Sequence, residues 1–230
     1  MAVAIAEDGQ ITKVVGDNSA YLVRNNQQIL LKEALPLEQG DSIYSMDSVV
    51  LIYLRPTTQI SISKNTHIII TKNLIEVDLD KEKSTSVIEF LKGLIRLQVT
   101  SDDGLEINQQ IIADGVSFGV RGTEFEVSKE GEDFDLDVIE GKVEVTSPYV
   151  QTFVPEIVKA NEGFKFNKKE RRFQRRQFKT NFSGHPRFAN KEEIRQRWKQ
   201  KRKAIKEKRI DKKKNRKDDI KRRQKRRSKR

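Results

Sequence analysis

Apolar residues recur at every second position through much of residues 10–165. Gln59-Ile60-Ser61-Ile62-Ser63 alternates cleanly, with one apolar face and one hydroxyl-bearing face. Ile95-Arg96-Leu97-Gln98-Val99 alternates too, as does Phe134-Asp135-Leu136-Asp137-Val138, followed by Val143-Glu144-Val145. A period of two places the apolar members of a strand on one face. Val49-Val50-Leu51-Ile52-Tyr53-Leu54 is a continuous apolar run, which predicts a strand covered on both faces. No stretch of this region holds a helical period for more than about ten residues, and Val87 to Leu91 comes nearest. The pattern predicts an all-β body.

Turn residues separate the runs. Asn25-Asn26 and Gly40-Asp41 supply early turns, and Lys129-Glu130-Gly131-Glu132-Asp133 reads as a hairpin loop. Two strand–Gly–strand units look alike: Phe90-Leu91-Lys92-Gly93-Leu94-Ile95-Arg96-Leu97 and Val138-Ile139-Glu140-Gly141-Lys142-Val143-Glu144-Val145. Such a repeat suggests a β-sandwich or a short β-solenoid built from similar corners, with chance likeness of two corners as the alternative.

Charge divides the chain. Residues 1–167 hold 15 Lys+Arg against 27 Asp+Glu, net −12; residues 168–230 hold 31 against 7, net +24. Like charge at that density resists collapse, so residues 168–230 read as a Lys/Arg-rich tail, helical or disordered, outside the core. Asn190-Lys191-Glu192-Glu193-Ile194 has the form of a capped helix start, giving a helix from about 191. Arg171, Arg172, Arg175, Arg176 and Lys179 interleave with Phe173 and Phe178, which are placed to pack back on the body. Residues 1–9 read either as the remnant of a secretory signal ending in Ala4-Ile5-Ala6 or as an ordinary apolar start. With no cysteine, disulfides, thiolate metal sites and cysteine nucleophiles are excluded. No apolar run is long enough for a membrane helix.

Catalytic chemistry is hard to find. The two histidines, His67 and His185, lack sequence neighbours for a metal pair or proton relay. Asp133, Asp135 and Asp137 have calcium-loop spacing, but Phe134 and Leu136 lie between them and the Gly and distal Glu of an EF-hand are missing. They read instead as one face of a strand. Asp102-Asp103-Gly104 reads as a turn. No phosphate loop or G-x-S-x-G elbow is present. No cofactor and no metal is expected.

One segment is distinctive: Val116-Ser117-Phe118-Gly119-Val120-Arg121-Gly122-Thr123-Glu124-Phe125-Glu126-Val127. It reads as strand, kink, strand. Gly119 and Gly122 permit close approach or positive φ, and Thr123 can bond backbone at the bend. Arg121 reads as a buried or half-buried corner arginine in a structural ion pair, or as part of a ligand site. Val120, Arg121, Gly122, Thr123 and Phe125, followed by Val138, Glu140, Gly141, Val143 and Val145, resemble the V-R-G-T-x-F and V-x-E-G-x-V-x-V signature of the FecR-type domain. Gly40-Asp41-Ser42-Ile43 is similar to that family's entry strand, with Asp47 where the family has glycine. Asn161-Glu162-Gly163 resembles its closing turn with Glu and Gly reversed. The resemblance spans about residues 10–166 and makes residues 10–167 a FecR-like domain. Neither a sigma-factor-binding segment nor a membrane helix is recognisable, so sigma-factor regulation is not carried over.

The resemblance implies a non-catalytic protein of the bacterial cell envelope, periplasmic, that binds or scaffolds through the β domain and takes part in envelope signalling. If no signal peptide lies upstream, the cytoplasm is the alternative. The tail's clusters, Lys212, Lys213, Lys214 and Arg222, Arg223, Lys225, Arg226, Arg227, suit a polyanion. An anionic envelope polymer or lipid, or an envelope protein, is the expected partner. The alternative is a nucleic-acid-binding protein whose β domain oligomerises.

Overall fold

The computed structural model describes residues 3–6, 9–17, 19–54, 57–78, 81–100, 105–147, 155–170, 172–179, 188 and 196. The expected helix from about 191 (apart from Gln196, which is helical), the two cation clusters, His185 and the Asp102–Gly104 turn lie outside the described residues.

The period of two is realised as eighteen strands: β1 (Val3–Ala6), β2 (Gly9–Val15), β3 (Tyr21–Arg24), β4 (Gln27–Leu30), β5 (Pro36–Leu37), β6 (Ser42–Tyr44), β7 (Val49–Leu54), β8 (Thr58–Ile62), β9 (His67–Asp78), β10 (Lys81–Val99), β11 (Leu105–Ala113), β12 (Val116–Val120), β13 (Glu124–Glu130), β14 (Asp133–Glu140), β15 (Lys142–Thr146), β16 (Glu156–Lys159), β17 (Glu162–Asn167) and β18 (Arg172–Gln177). The Val87–Leu91 stretch is strand, inside β10. Asn25 and Asn26 both take positive φ, 50° and 61°, the conformation a two-residue hairpin needs between twisted strands.

The strands lie in two facing sheets. The first runs β4-β3-β6-β9-β10-β11-β12-β15-β16, with β1 beside β9. The second runs β2-β7-β8-β10-β13-β14-β17-β18, with β5 beside β2. Between them lies one apolar core, to which Ile43, Ile52, Ile60, Ile68, Phe90, Leu97, Phe118, Phe125, Phe134 and Phe166 all contribute. Phe118 of the first sheet meets Phe134 of the second edge-on at 5.1 Å, and Phe134 stacks on Phe166. A buried polar bond crosses the same gap, Thr58 Oγ1 donating to Gln109 Oε1 at 3.0 Å.

β10 belongs to both sheets. It pairs with β9 up to Lys92 and with β8 and β13 from Gly93 on. Past Val99 the chain returns to the first sheet, where β11 lies parallel to β10; every other pairing is antiparallel. The body is therefore an all-β sandwich that contains one solenoid-like coil.

Corners where strands pass between sheets carry the positive φ values. Asn65 (55°) and Gly93 (101°) form one stacked pair, and Gly122 (61°) and Gly141 (83°) another. Their chemistry is the same. Thr66 Oγ1 donates to Lys64 O (3.2 Å) and Leu94 O (3.3 Å); Thr123 Oγ1 donates to Arg121 O (3.1 Å) and Lys142 O (2.8 Å). In each case a threonine after a positive-φ residue bonds back two residues and across to the residue after a corner glycine. A Cβ on Gly93 would fall 2.2 Å from Thr66 Oγ1, and one on Gly141 2.8 Å from Gly122 O. The repeat seen around Gly93 and Gly141 is thus physical. A third corner extends the second stack: Asn161 (φ 64°) donates its N–H to Val138 O, and Ala160 donates to Gly141 O.

Three expectations shift. Val49–Leu54 is not covered equally on both faces: Val50, Ile52 and Leu54 are core, while Val49, Leu51 and Tyr53 are half-buried. The polar face of β8 is buried, Ser61 included, because β8 lies between β7 and β10. The sheet also runs past residue 167: β18 pairs with β17, and Phe173 stacks on Phe164 at 4.8 Å.

Replacing Gly141 or Gly93 by Ala forces a Cβ into the opposing corner at positive φ. Each is expected to cost about 2–3 kcal/mol in urea unfolding. Thr123→Val keeps the shape but removes the hydroxyl proton that the Arg121 and Lys142 carbonyls share, with an expected loss of about 1–2 kcal/mol.

Candidate functional site

The corner stack decides where each motif residue points. Val120 and Phe125 face the core, Thr123 is buried in its two bonds, and Gly122 and Gly141 lie against each other. Glu140 is exposed at the same corner. Gly119 sits on the outer face of the first sheet. Arg121 is exposed, with no hydrogen bond or ion pair among the described residues, so it is not a buried structural arginine. The backbone turn at Gly122 lifts it clear of the core.

A groove of about 360 Å³ lies on that outer face, lined by Asn108, Gln110, Ser117, Gly119, Arg121, Lys142, Glu144, Thr146 and Ile157 among others. Strand register arranges it in rows. Gln110, Gly119, Glu144 and Ile157 are successive partners across β11, β12, β15 and β16, with Gly119 as the low point. One step along, Arg121 follows Val120, Lys142 precedes its partner Val143, and Lys142 pairs with Lys159. Three exposed cations therefore stand side by side. Like charges directly opposite one another repel, so this row is a local cost.

The outer face of the second sheet carries the opposite arrangement. Successive partners Arg96, Glu126, Asp137, Gly163 and Arg176 cross β10, β13, β14, β17 and β18. Arg176 reaches over Gly163 to Asp137 (Nη1–Oδ1 2.8 Å) and to Asp135 (2.8 Å). A Cβ on Gly163 would come within 2.7 Å of Arg176 Nη1. Arg96 pairs with Glu124, and Gln98 donates to Glu124 and accepts from Gln59. The Asp133–Asp137 face behaves as a strand face, with Phe134, Leu136 and Val138 inward. The cation that clamps it comes from the basic half of the chain. A second buried pair lies at the entry strand, where Arg24 holds fully buried Asp41 through two 2.7 Å bonds.

His67 is part of an aromatic ladder on the first sheet. Its ring stacks on Tyr44 at 3.9 Å, Tyr44 stacks on Tyr21, and Nε2 lies 2.7 Å from Ser42 Oγ. Burial, and then the charge of its strand partner Lys92, hold its pKa below the ordinary imidazole value. Among the described residues no cluster of three His, Cys, Asp or Glu side chains could hold a metal, and no helix is long and apolar enough to cross a membrane.

Residues 43–144 match the family model described as FecR protein. No curated protein matches the chain. Among solved structures, it is similar to two crystal structures of a protein from Parabacteroides distasonis ATCC 8503, provisionally described as an anti-sigma factor. Both are 20% identical; the alignments cover 56% and 54% of this chain, with TM-scores of 0.44 and 0.42. The chain spans about half the length of each, 55% and 53%.

Arg176→Ala would leave Asp137, 2% exposed, without its partner. The expected loss is about 3 kcal/mol in urea unfolding, and Asp137→Asn in that background should recover part of it. In the fold His67 loses its proton more readily than in the unfolded chain, which binds one near pH ~6.5. Its share of stability is therefore complete above that pH and is lost as pH falls through the lower folded value. Melting temperature followed from about pH 7.5 to about pH 5 should fall less steeply in His67→Gln.

Proposed function

We propose that this chain, which carries a FecR-type domain across residues 43–144, is a non-catalytic binding protein of the bacterial cell envelope that takes part in signalling. The β domain holds a partner, and the basic tail contacts an anionic surface. The observation that carries this reading is how the motif is used. Val120, Gly122, Thr123, Phe125 and Gly141 are spent on packing and corner bonds, while Arg121 projects outward unpaired beside the Gly119 groove. The motif builds a presenting surface rather than a reaction centre.

The polar side chains on the second sheet support the same reading. Arg96, Glu124, Asp135, Asp137 and Arg176 bind one another across strands. Their oxygens are taken up by these cross-strand bonds rather than aimed into a cleft. The tail's net +24 over residues 168–230 supplies an electrostatic contact that needs no fixed shape.

Binding of the full chain to vesicles containing anionic lipid tests the tail. Binding is expected at about 50 mM salt and is expected to weaken strongly by about 300 mM. A variant with Lys212, Lys213, Lys214, Arg222, Arg223, Lys225, Arg226 and Arg227 changed to Gln should lose it. Tight binding to duplex DNA with none to the vesicles would overturn the envelope reading.

A further inference from the structure

We propose that the groove on the outer face of the first sheet, between the Arg121–Lys142–Lys159 row and Ser117–Thr146, is a docking site for an acidic peptide segment of a protein partner. The inference rests on the reading of the β domain as a binding module and names what that module takes.

Gly119 is the key. Other glycines of the body have a structural cause. Gly93 and Gly141 take positive φ against an opposing corner, and Gly163 lets Arg176 pass. Gly119 has neither reason. Its φ is ordinary for a strand, and a Cβ there would meet nothing closer than Glu144 O at 3.8 Å. Glycine inside a strand is less favourable than alanine, because it gives up more backbone freedom and packs no side chain. A strand residue that neither backbone nor packing requires to be glycine leaves open space on the sheet, and the groove floor is that space.

The cations point to the charge of the occupant. Residues 1–167 carry net −12, and elsewhere on the body Arg24, Arg96, Lys129 and Arg176 are paired with carboxylates. Lys142 and Lys159 are direct partners across β15 and β16, and Arg121 follows the end of β12 beside Lys142. Among the described residues none of the three forms an ion pair, and unlike single unpaired lysines such as Lys64 they stand together. An anionic ligand would remove their mutual repulsion. The planar guanidinium of Arg121 suits a carboxylate, which it can hold in a fork.

The remaining lining selects a peptide. Asn108 and Gln110 offer amide donors and acceptors, Ser117 and Thr146 hydroxyls, Glu144 an acceptor for N–H, and Ile157 an apolar contact. This is the complement that main-chain amides and small side chains require. Among the described residues no aromatic side chain lines the groove, and its polar groups are of the kind that pair with main-chain amides. The chain's own tail is excluded by sign, since its net +24 repels the cation row.

The test uses the full chain in which the eight tail cations named above are already Gln, so that the tail does not capture the probe. The probe is a labelled peptide of about eight residues alternating Glu with Ser, against the same peptide with Gln for Glu. Binding of the Glu peptide is expected, with amide shifts in NMR spectra at Gln110, Ser117 and Gly119. Arg121→Gln with Lys142→Gln should weaken it at least about tenfold. Gly119→Val fills the floor without changing charge and suits a strand, so it should weaken binding as much while the melting temperature holds. Undiminished binding in both variants overturns the proposal. So does equal binding of the Gln peptide, or binding of polygalacturonate with no binding of the Glu peptide. Vesicle binding by the tail, measured on the chain with its cations intact, is independent of Gly119→Val, so failure here is distinct from failure of the envelope reading.

Discussion

The structure depends on how a polypeptide passes from one sheet to the other without leaving backbone groups unbonded. An L-residue resists the positive φ such corners need, so glycine or asparagine occupies most of them, with Ala34 and Met46 as the exceptions. The corner carbonyls then need donors, which Thr66 and Thr123 supply, each from the neighbouring corner of its own stack. Because corners stack, no corner can be set alone: Gly141 is fixed by Thr123, and Ala160 by Gly141. The paired sheets and their shared core follow from this constraint, since it fixes where each strand bends and therefore which face turns inward.

Once the bends are fixed, the outer faces are fixed too, and they diverge. On the second sheet, opposite charges fall on neighbouring strands and bind one another. On the first, Lys83 meets Glu106 across β10 and β11, but at the far end of the sheet Arg121, Lys142 and Lys159 fall side by side and are left exposed. The same register rule produces both outcomes, and only the second leaves unsatisfied chemistry at the surface.

Strand positions were legible because alternation survives without tertiary knowledge; Phe134-Asp135-Leu136-Asp137-Val138 shows its inward face in the letters alone. The likeness of the Gly93 and Gly141 corners was legible as well. Their threonine partners were not, because Thr66 precedes Leu94 by 28 residues and Thr123 precedes Lys142 by 19. The ion pairs Arg24–Asp41 and Arg176–Asp137 hid for the same reason, spanning 17 and 39 residues. Arg121 could be assigned to a corner but not to the outside of it, since a single backbone bend decides that. The charge boundary at residue 167 misled about the sheet. β18, Arg172–Gln177, has one apolar residue and no strand signature, and is held by the acidic face it covers.

That strand has a mechanical consequence. β18 is the last described strand of the sheet, and the chain continues from it into the basic half. Tension on that half would be borne first by the β17–β18 ladder and the Arg176 clamp on Asp135 and Asp137. Peeling β18 away would uncover two carboxylates, one of them buried in the resting fold, and would leave the stacked corners in place. The junction would yield as a fuse, changing the charge displayed by one face before the core is strained.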